Sequence, residues 1–121
     1  MGKTTRDLIS YIAENAITKR ELVKYGTNAN EVTPSDTAGE QCVGFADNDA
    51  AAGGTVAVAV DLISEGIASA AISKGDNVAA AGSGDLRTAV SGDVVIGIAQ
   101  EAATALGDKI EVLIVSQYTL P

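Results

Sequence analysis

The chain has 121 residues, a formal net charge of −8 and a 46% share of hydrophobic residues, a fraction that supports a folded core and argues against disorder. Its single cysteine excludes an internal disulfide and any multi-cysteine metal site. Histidine is absent, which removes the Ser-His-Asp triad, the Cys-His dyad and the common zinc sites. The length suits one domain, with two small duplicated lobes as the alternative.

In chain order, the N-terminus Met-Gly-Lys-Thr-Thr-Arg lacks the apolar core of a signal peptide. Gly2-Lys3-Thr4-Thr5 looks like the end of a phosphate-binding loop, but the glycine and loop that should precede it are missing. Arg6 stands where a myristoylation signal wants Ser or Thr. Residues 1–26 carry Lys3, Arg6, Lys19, Arg20 and Lys24 against Asp7, Glu14 and Glu21, so this segment is net-basic. The remainder is strongly acidic, which argues against nucleic-acid binding because phosphate recognition needs clustered cations. We expect residues 1–15 to form an N-terminal arm, with Leu8, Ile9, Tyr11 and Ile12 along an amphipathic helix or an extended segment.

From residue 16 the sequence reads as written twice, over 16–70 and 71–121. Ala16-Ile17-Thr18-Lys19 recurs as Ala71-Ile72-Ser73-Lys74. Each copy continues with a strand-like segment, Glu21–Tyr25 or Asn77–Ala81, then a polar turn region leading past Thr33 or Thr88. A Gly-centred apolar strand follows, Cys42-Val43-Gly44-Phe45-Ala46 in one copy and Val95-Ile96-Gly97-Ile98-Ala99 in the other. Both copies close on alternating strands, Val56-Ala57-Val58-Ala59-Val60 and Ile110-Glu111-Val112-Leu113-Ile114. A two-residue period places alternate side chains on one face of a strand, and β-branched residues fit that surface. Short segments and frequent turn signals predict an all-β fold, a small barrel or sandwich built from two tandem repeats. Segment 61–70 links the copies as a strand or a helical turn, and Gln100–Leu106 reads as a turn of helix or a loop. No apolar run approaches the ~20 residues that span a bilayer, so no membrane partner is expected.

Little in the chain carries chemistry. Acid pairs arise by chance in so acidic a body, and no catalytic, cofactor or metal residues are assigned. Gly82-Ser83-Gly84 lacks the third glycine of a dinucleotide site. Asp47-Asn48-Asp49 lacks the glycine and distant glutamate of a calcium loop and reads as turn chemistry. Cys42, within an apolar run, reads as a small buried hydrophobe. Three tyrosines, one phenylalanine and no tryptophan give a core that buries less area per residue than an aromatic one. Part of the stability is therefore expected from neighbouring subunits.

Three stretches carry a family pattern: Ala70-Ala71-Ile72-Ser73-Lys74-Gly75-Asp76-Asn77-Val78, Gly92-Asp93-Val94-Val95-Ile96-Gly97-Ile98-Ala99 and Gly107-Asp108-Lys109-Ile110-Glu111-Val112. The pattern resembles a family of small phage proteins, formerly a domain-of-unknown-function family, read as capsid cement or head decoration proteins. The resemblance implies a non-enzymatic virion protein made in the host cytoplasm, bound to the outer surface of the assembled major capsid shell and stabilising it. A homotrimer is the usual arrangement for decoration proteins. The apolar ends and the net-basic arm nominate Arg6, Leu8, Tyr11, Ile12, Tyr118 and Leu120 as interface residues, with the arm adding a strand to a capsid sheet edge. The alternatives are a generic small β binding or carrier module, for which Asp108-Lys109 is the only Asp-Lys pair, and a virion adhesion protein.

Overall fold

The computed structural model describes residues 6–121; the Gly2-Lys3-Thr4-Thr5 stretch, with the basic Lys3, lies outside the described residues. Nine strands form one sheet: β1 (Arg6–Ala13), β2 (Leu22–Tyr25), β3 (Glu31–Pro34), β4 (Gly44–Ala46), β5 (Thr55–Ile67), β6 (Asn77–Ala80), β7 (Leu86–Thr88), β8 (Val94–Ala99) and β9 (Lys109–Thr119). No helix occurs among the described residues, and the all-β class expected from the alternating valines holds.

The sheet order is β1-β3-β2-β4-β5-β9-β8-β6-β7, and a further β1–β5 pairing closes the first five strands into a barrel. A parallel bridge between Ala68 and Leu86 brings β7 back to the end of β5 and closes the second ring. The long β5 serves both barrels: its first half pairs with β1 and β4, and its second half pairs with β9. Closure leaves few open sheet edges, which protects an all-β chain from edge-to-edge aggregation.

Matching hydrogen bonds hold the two barrels. The Ile17–Ala50 bridge has its counterpart in Ile72–Ala103. Gly53 donates to the Ala13 carbonyl as Gly107 does to Ala68, and Ser35 donates to Leu22 as Ala89 does to Asn77. On the β1·β5 ladder Ile12 faces Thr55, and on the β5·β9 ladder Ile67 faces Lys109. The glycine at the centre of each apolar strand has a steric cause. A Cβ on Gly44 would lie 2.0 Å from the Ala59 carbonyl oxygen, and one on Gly97 would lie 2.7 Å from that of Leu113. The neighbouring strand passes too close for any side chain.

The core is divided unequally. Val23, Val32, Val56 and Val58 fill the first barrel with Ala13, Ile17 and Ala46. The larger cluster is shared: Leu22, Cys42 and Phe45 from the first barrel pack with Leu86, Ile96, Ile110 and Val112 from the second. A Cβ on Gly66 would meet Leu86 at 2.6 Å and Phe45 at 2.8 Å, so the bare backbone of β5 is what lets both side chains in.

One segment differs from the sequence-based expectation, and two adopt one of the alternatives open to them. Residues 6–13, expected as an arm, form β1, paired with β5 over most of its length and with β3 at Ile12 and Ala13. Segment 61–70 is strand as far as Ile67, the end of β5, and Gln100–Leu106 is a loop fastened by the Ala103 bridge, each one of the two alternatives. The short strands β3 and β7, which carry Thr33 and Thr88, follow directly on the polar turns and have no element assigned to them from sequence.

Candidate functional site

β1 positions four of the six nominated residues. Strand alternation points Leu8 and Ile12 outward, at 48% and 44% exposure, and turns Tyr11 toward the valine core. The Tyr11 ring meets Tyr25 edge to face, with centroids 6.5 Å apart and planes at 71°. Burial, and next the adjoining Tyr25 phenol, raise the pKa of Tyr11. Arg6 is not free to meet a partner as a charge: its guanidinium is 2.7 Å from the Asp47 carboxylate.

Tyr118 and Leu120 belong to the other barrel. Tyr118 stands opposite Val95 and is exposed, while Leu120 is half-buried and tied down by hydrogen bonds to Gly92 and Asp93. The structure therefore brings Leu8, Tyr11 and Ile12 together on one strand and does not bring the C-terminal pair to them.

The net-basic N-terminal segment spends most of its charge internally. Arg20 pairs with Glu65 and Lys24 with Asp36 and Glu40, as Arg6 does with Asp47. Arg87 makes a bidentate contact with Asp93, whose carboxylate also accepts the Val90 N–H. Burial alone would raise the Asp93 pKa, but the Arg87 guanidinium and the Val90 N–H outweigh it and hold the carboxyl below the ordinary value.

Sequence reasoning passed over Ile9 as an interface residue, and it missed Leu62 and Tyr25. Ile9 is 46% exposed and Leu62 43%, the latter opposite Arg6 with a φ of +66°, two residues beyond the β-bulge at Val60 where the β1·β5 register slips. Tyr25, at 66%, is the most exposed of the three tyrosines, and aromatic scarcity was the signal that could have found it. Beside the bulge, Val60, Asp61, Ile114, Val115 and Ser116 line an open cleft of about 320 Å³. Asp61 faces Asp7 across the ladder; partial desolvation, then the Asp7 carboxyl, push its pKa up.

No group of three or more His, Cys, Asp or Glu side chains gathers to hold a metal among the described residues. The Cys42 thiol is buried, and that burial pushes its pKa up to about 11, far from a reactive thiolate. What the molecule presents is surface: an outward apolar strand and the exposed Tyr25, backed by the half-buried Tyr11.

Fold and surface thus define a small all-β module of two barrels sharing one long strand. The chain belongs to a family described as phage cement protein, which matches residues 3–114. It is accordingly a capsid-associated structural protein of bacteriophage. Among solved structures it is similar to the N base of the head fiber gp8.5 of bacteriophage phi29. That match has a TM-score of 0.73 and 19% identity, covering 92% of this chain and 95% of that one. At this identity the likeness is one of fold. No curated protein sequence matches the chain.

Proposed function

We propose that the chain is a non-catalytic decoration protein that binds the outer surface of the assembled major capsid shell and stabilises it, acting as a self-associated homotrimer of doubled β units. The observation that carries the reading is the outward face of β1, where Leu8 and Ile12 stay exposed in a chain of the phage cement family. Ladder pairing with β3 begins only at Ile12, so the edge of β1 from Arg6 to Ser10 has no strand beside it among the described residues. Such an edge accepts an added strand, whose backbone hydrogen bonds give affinity while flanking side chains give specificity. The donor of the strand is then the capsid, and β1 is the acceptor. Binding that requires the assembled shell stabilises it by mass action, with no reaction needed.

The test mixes purified protein with bare expanded heads and images them by cryo-electron microscopy. Ordered density across the shell, lost for Leu8→Asp/Ile12→Asp, supports the reading; matured heads without added density refute it. Deleting residues 1–12 is a poor variant, because it removes the strand that closes the first barrel. A virion adhesion role is the second reading, favoured by the fold likeness to a head fiber base. The same images separate it, since adhesion proteins occupy sparse sites.

A further inference from the structure

The two barrels are built alike, yet one of their faces is covered and the other is bare. On the second barrel, β6 ends at Ala80, which is wholly buried. What covers it is the 36–42 loop of the first barrel: the Gly39 N–H donates to the Ala80 carbonyl, and Ala38 lies against Gly82. On the first barrel the same place is held by Tyr25. Tyr25 pairs with Val32 as Ala80 pairs with Leu86, and Val32 and Leu86 in turn face Ala13 and Ala68. Tyr25 meets the Tyr11 ring edge to face and still stays 66% exposed.

The second barrel also carries the counterpart of the covering loop. In the first barrel Thr37 donates its N–H to Glu40; in the second, Val90 donates its N–H to Asp93 in the same turn. That turn exposes Val90, at 53%, while its Asp93 end packs against Gly39 of the first barrel. The chain therefore displays on one barrel a socket around Tyr25, rimmed by Glu14, Asn15, Lys24, Thr27, Thr33 and Asp36, and on the other a loop of matching build whose Val90 tip is exposed.

We infer that the Tyr25 face of one copy receives the Val90 loop of a second copy, in a head-to-tail contact that repeats between chains the packing seen between the barrels. The proposal rests on the self-association included in the proposed function and names its surface. A head-to-tail contact is heterologous, and it closes into a ring when its rotation allows, which is what a homotrimer requires. Tyrosine at the centre suits it, because Tyr presents a large rigid contact area with a polar tip. One internal hydrogen bond cannot be repeated: the Gly92 N–H, counterpart of Gly39, is already taken by the Leu120 carbonyl. Side-chain packing of Val90 on Tyr25 must then carry the contact.

Cross-linking the full chain tests this. Chains carrying Tyr25→Cys and chains carrying Val90→Cys are mixed under mild oxidation, with the buried Cys42 as a silent background thiol. The expected result is a covalent dimer joining the two kinds of chain, formed well above the level in either variant alone. In parallel, Tyr25→Asp should raise the dissociation constant for self-association about tenfold or more by sedimentation, as loss of a central aromatic does. If the wild-type chain sediments as a monomer at every concentration, self-association itself fails, and this contact with it. If it associates but Tyr25→Asp leaves the constant unchanged, or only like chains cross-link, the surface is wrongly assigned while self-association survives.

Discussion

Phe45 is the only phenylalanine in the chain, and its place between the barrels makes it the most informative side chain to remove. It lies on a strand of the first barrel, is 1% exposed, and packs in the cluster that contains Leu86, Ile110 and Val112 of the second. Truncation to alanine at a site this enclosed costs about 3–5 kcal/mol, the lost transfer energy plus the cavity left behind. Against the 5–15 kcal/mol typical of a domain, that is a large part of the total. At about 2.1 cal/mol/K of unfolding entropy per residue, each kcal/mol shifts Tm by about 4 °C in a chain of this length, so Phe45→Ala should lower it by about 12–20 °C. Urea melts followed by tyrosine fluorescence and far-UV circular dichroism measure the change. Tyr11 and Tyr25 report on the first barrel and Tyr118 on the second. Because the core is shared, both probes should move together in one transition. Leu106→Ser, at a residue 71% exposed, serves as a control and should stay within about 0.5 kcal/mol. Two separate transitions, with only one displaced by Phe45→Ala, would refute the argument that the barrels fold as one unit, as would a loss under about 1 kcal/mol.

Gly44→Ala should destabilise the fold by about 3 kcal/mol or more, since its Cβ meets backbone that cannot give way, whereas Gly107→Ala, with open space but a φ of +93°, should cost about 1–2 kcal/mol in the same melts. Asp93→Asn should cost about 1–3 kcal/mol at pH 7, the half-exposed Arg87 keeping it at the lower end. The native Asp93 pKa is depressed, so its contribution is present above the ordinary carboxylate value of about 3.9 and is lost as pH falls through the native value. The gap between wild type and variant should therefore narrow below about pH 4, and a gap independent of pH would rule the ion pair out as its source. Iodoacetamide at pH 8 should leave Cys42 unmodified in the native chain and label it once urea unfolds the protein, read by mass spectrometry.

The alternating valines made the all-β class legible, because burial on one face of a strand leaves a two-residue period. Val56 and Val58, and Ile110 and Val112, are buried as that period requires. The Gly-centred strands were legible as places of close backbone approach, and Gly44 and Gly97 are such places. What stayed hidden has a common cause. β3 and β7 are only four and three residues long, too short to show a period against flanking turn residues. β1 carries Leu8 and Ile9 both exposed on adjacent positions, so no alternation marks it as a strand. Its pairing with β5 is a long-range fact that local sequence does not encode. Arg6 illustrates the same limit at the candidate site: a cation in a net-basic segment looks available until the fold sets Asp47 beside it.

The two proposed contacts lie on different faces, and this separates their effects. Leu8 and Ile12 point outward from β1, whereas Tyr11 turns to the opposite side, where Tyr25 meets it. Leu8→Asp should therefore weaken shell binding while leaving self-association unchanged. Tyr25→Asp touches no shell contact, yet it should weaken shell binding too. A trimer that engages three sites gains affinity through effective concentration, often 10²–10⁴-fold over a single contact, and a dissociated subunit loses that gain. Titrating labelled protein onto bare heads measures both variants. Equal shell affinity for Tyr25→Asp and wild type, with self-association abolished, would mean that each subunit binds alone and that the shell, not the trimer, supplies the multiplicity.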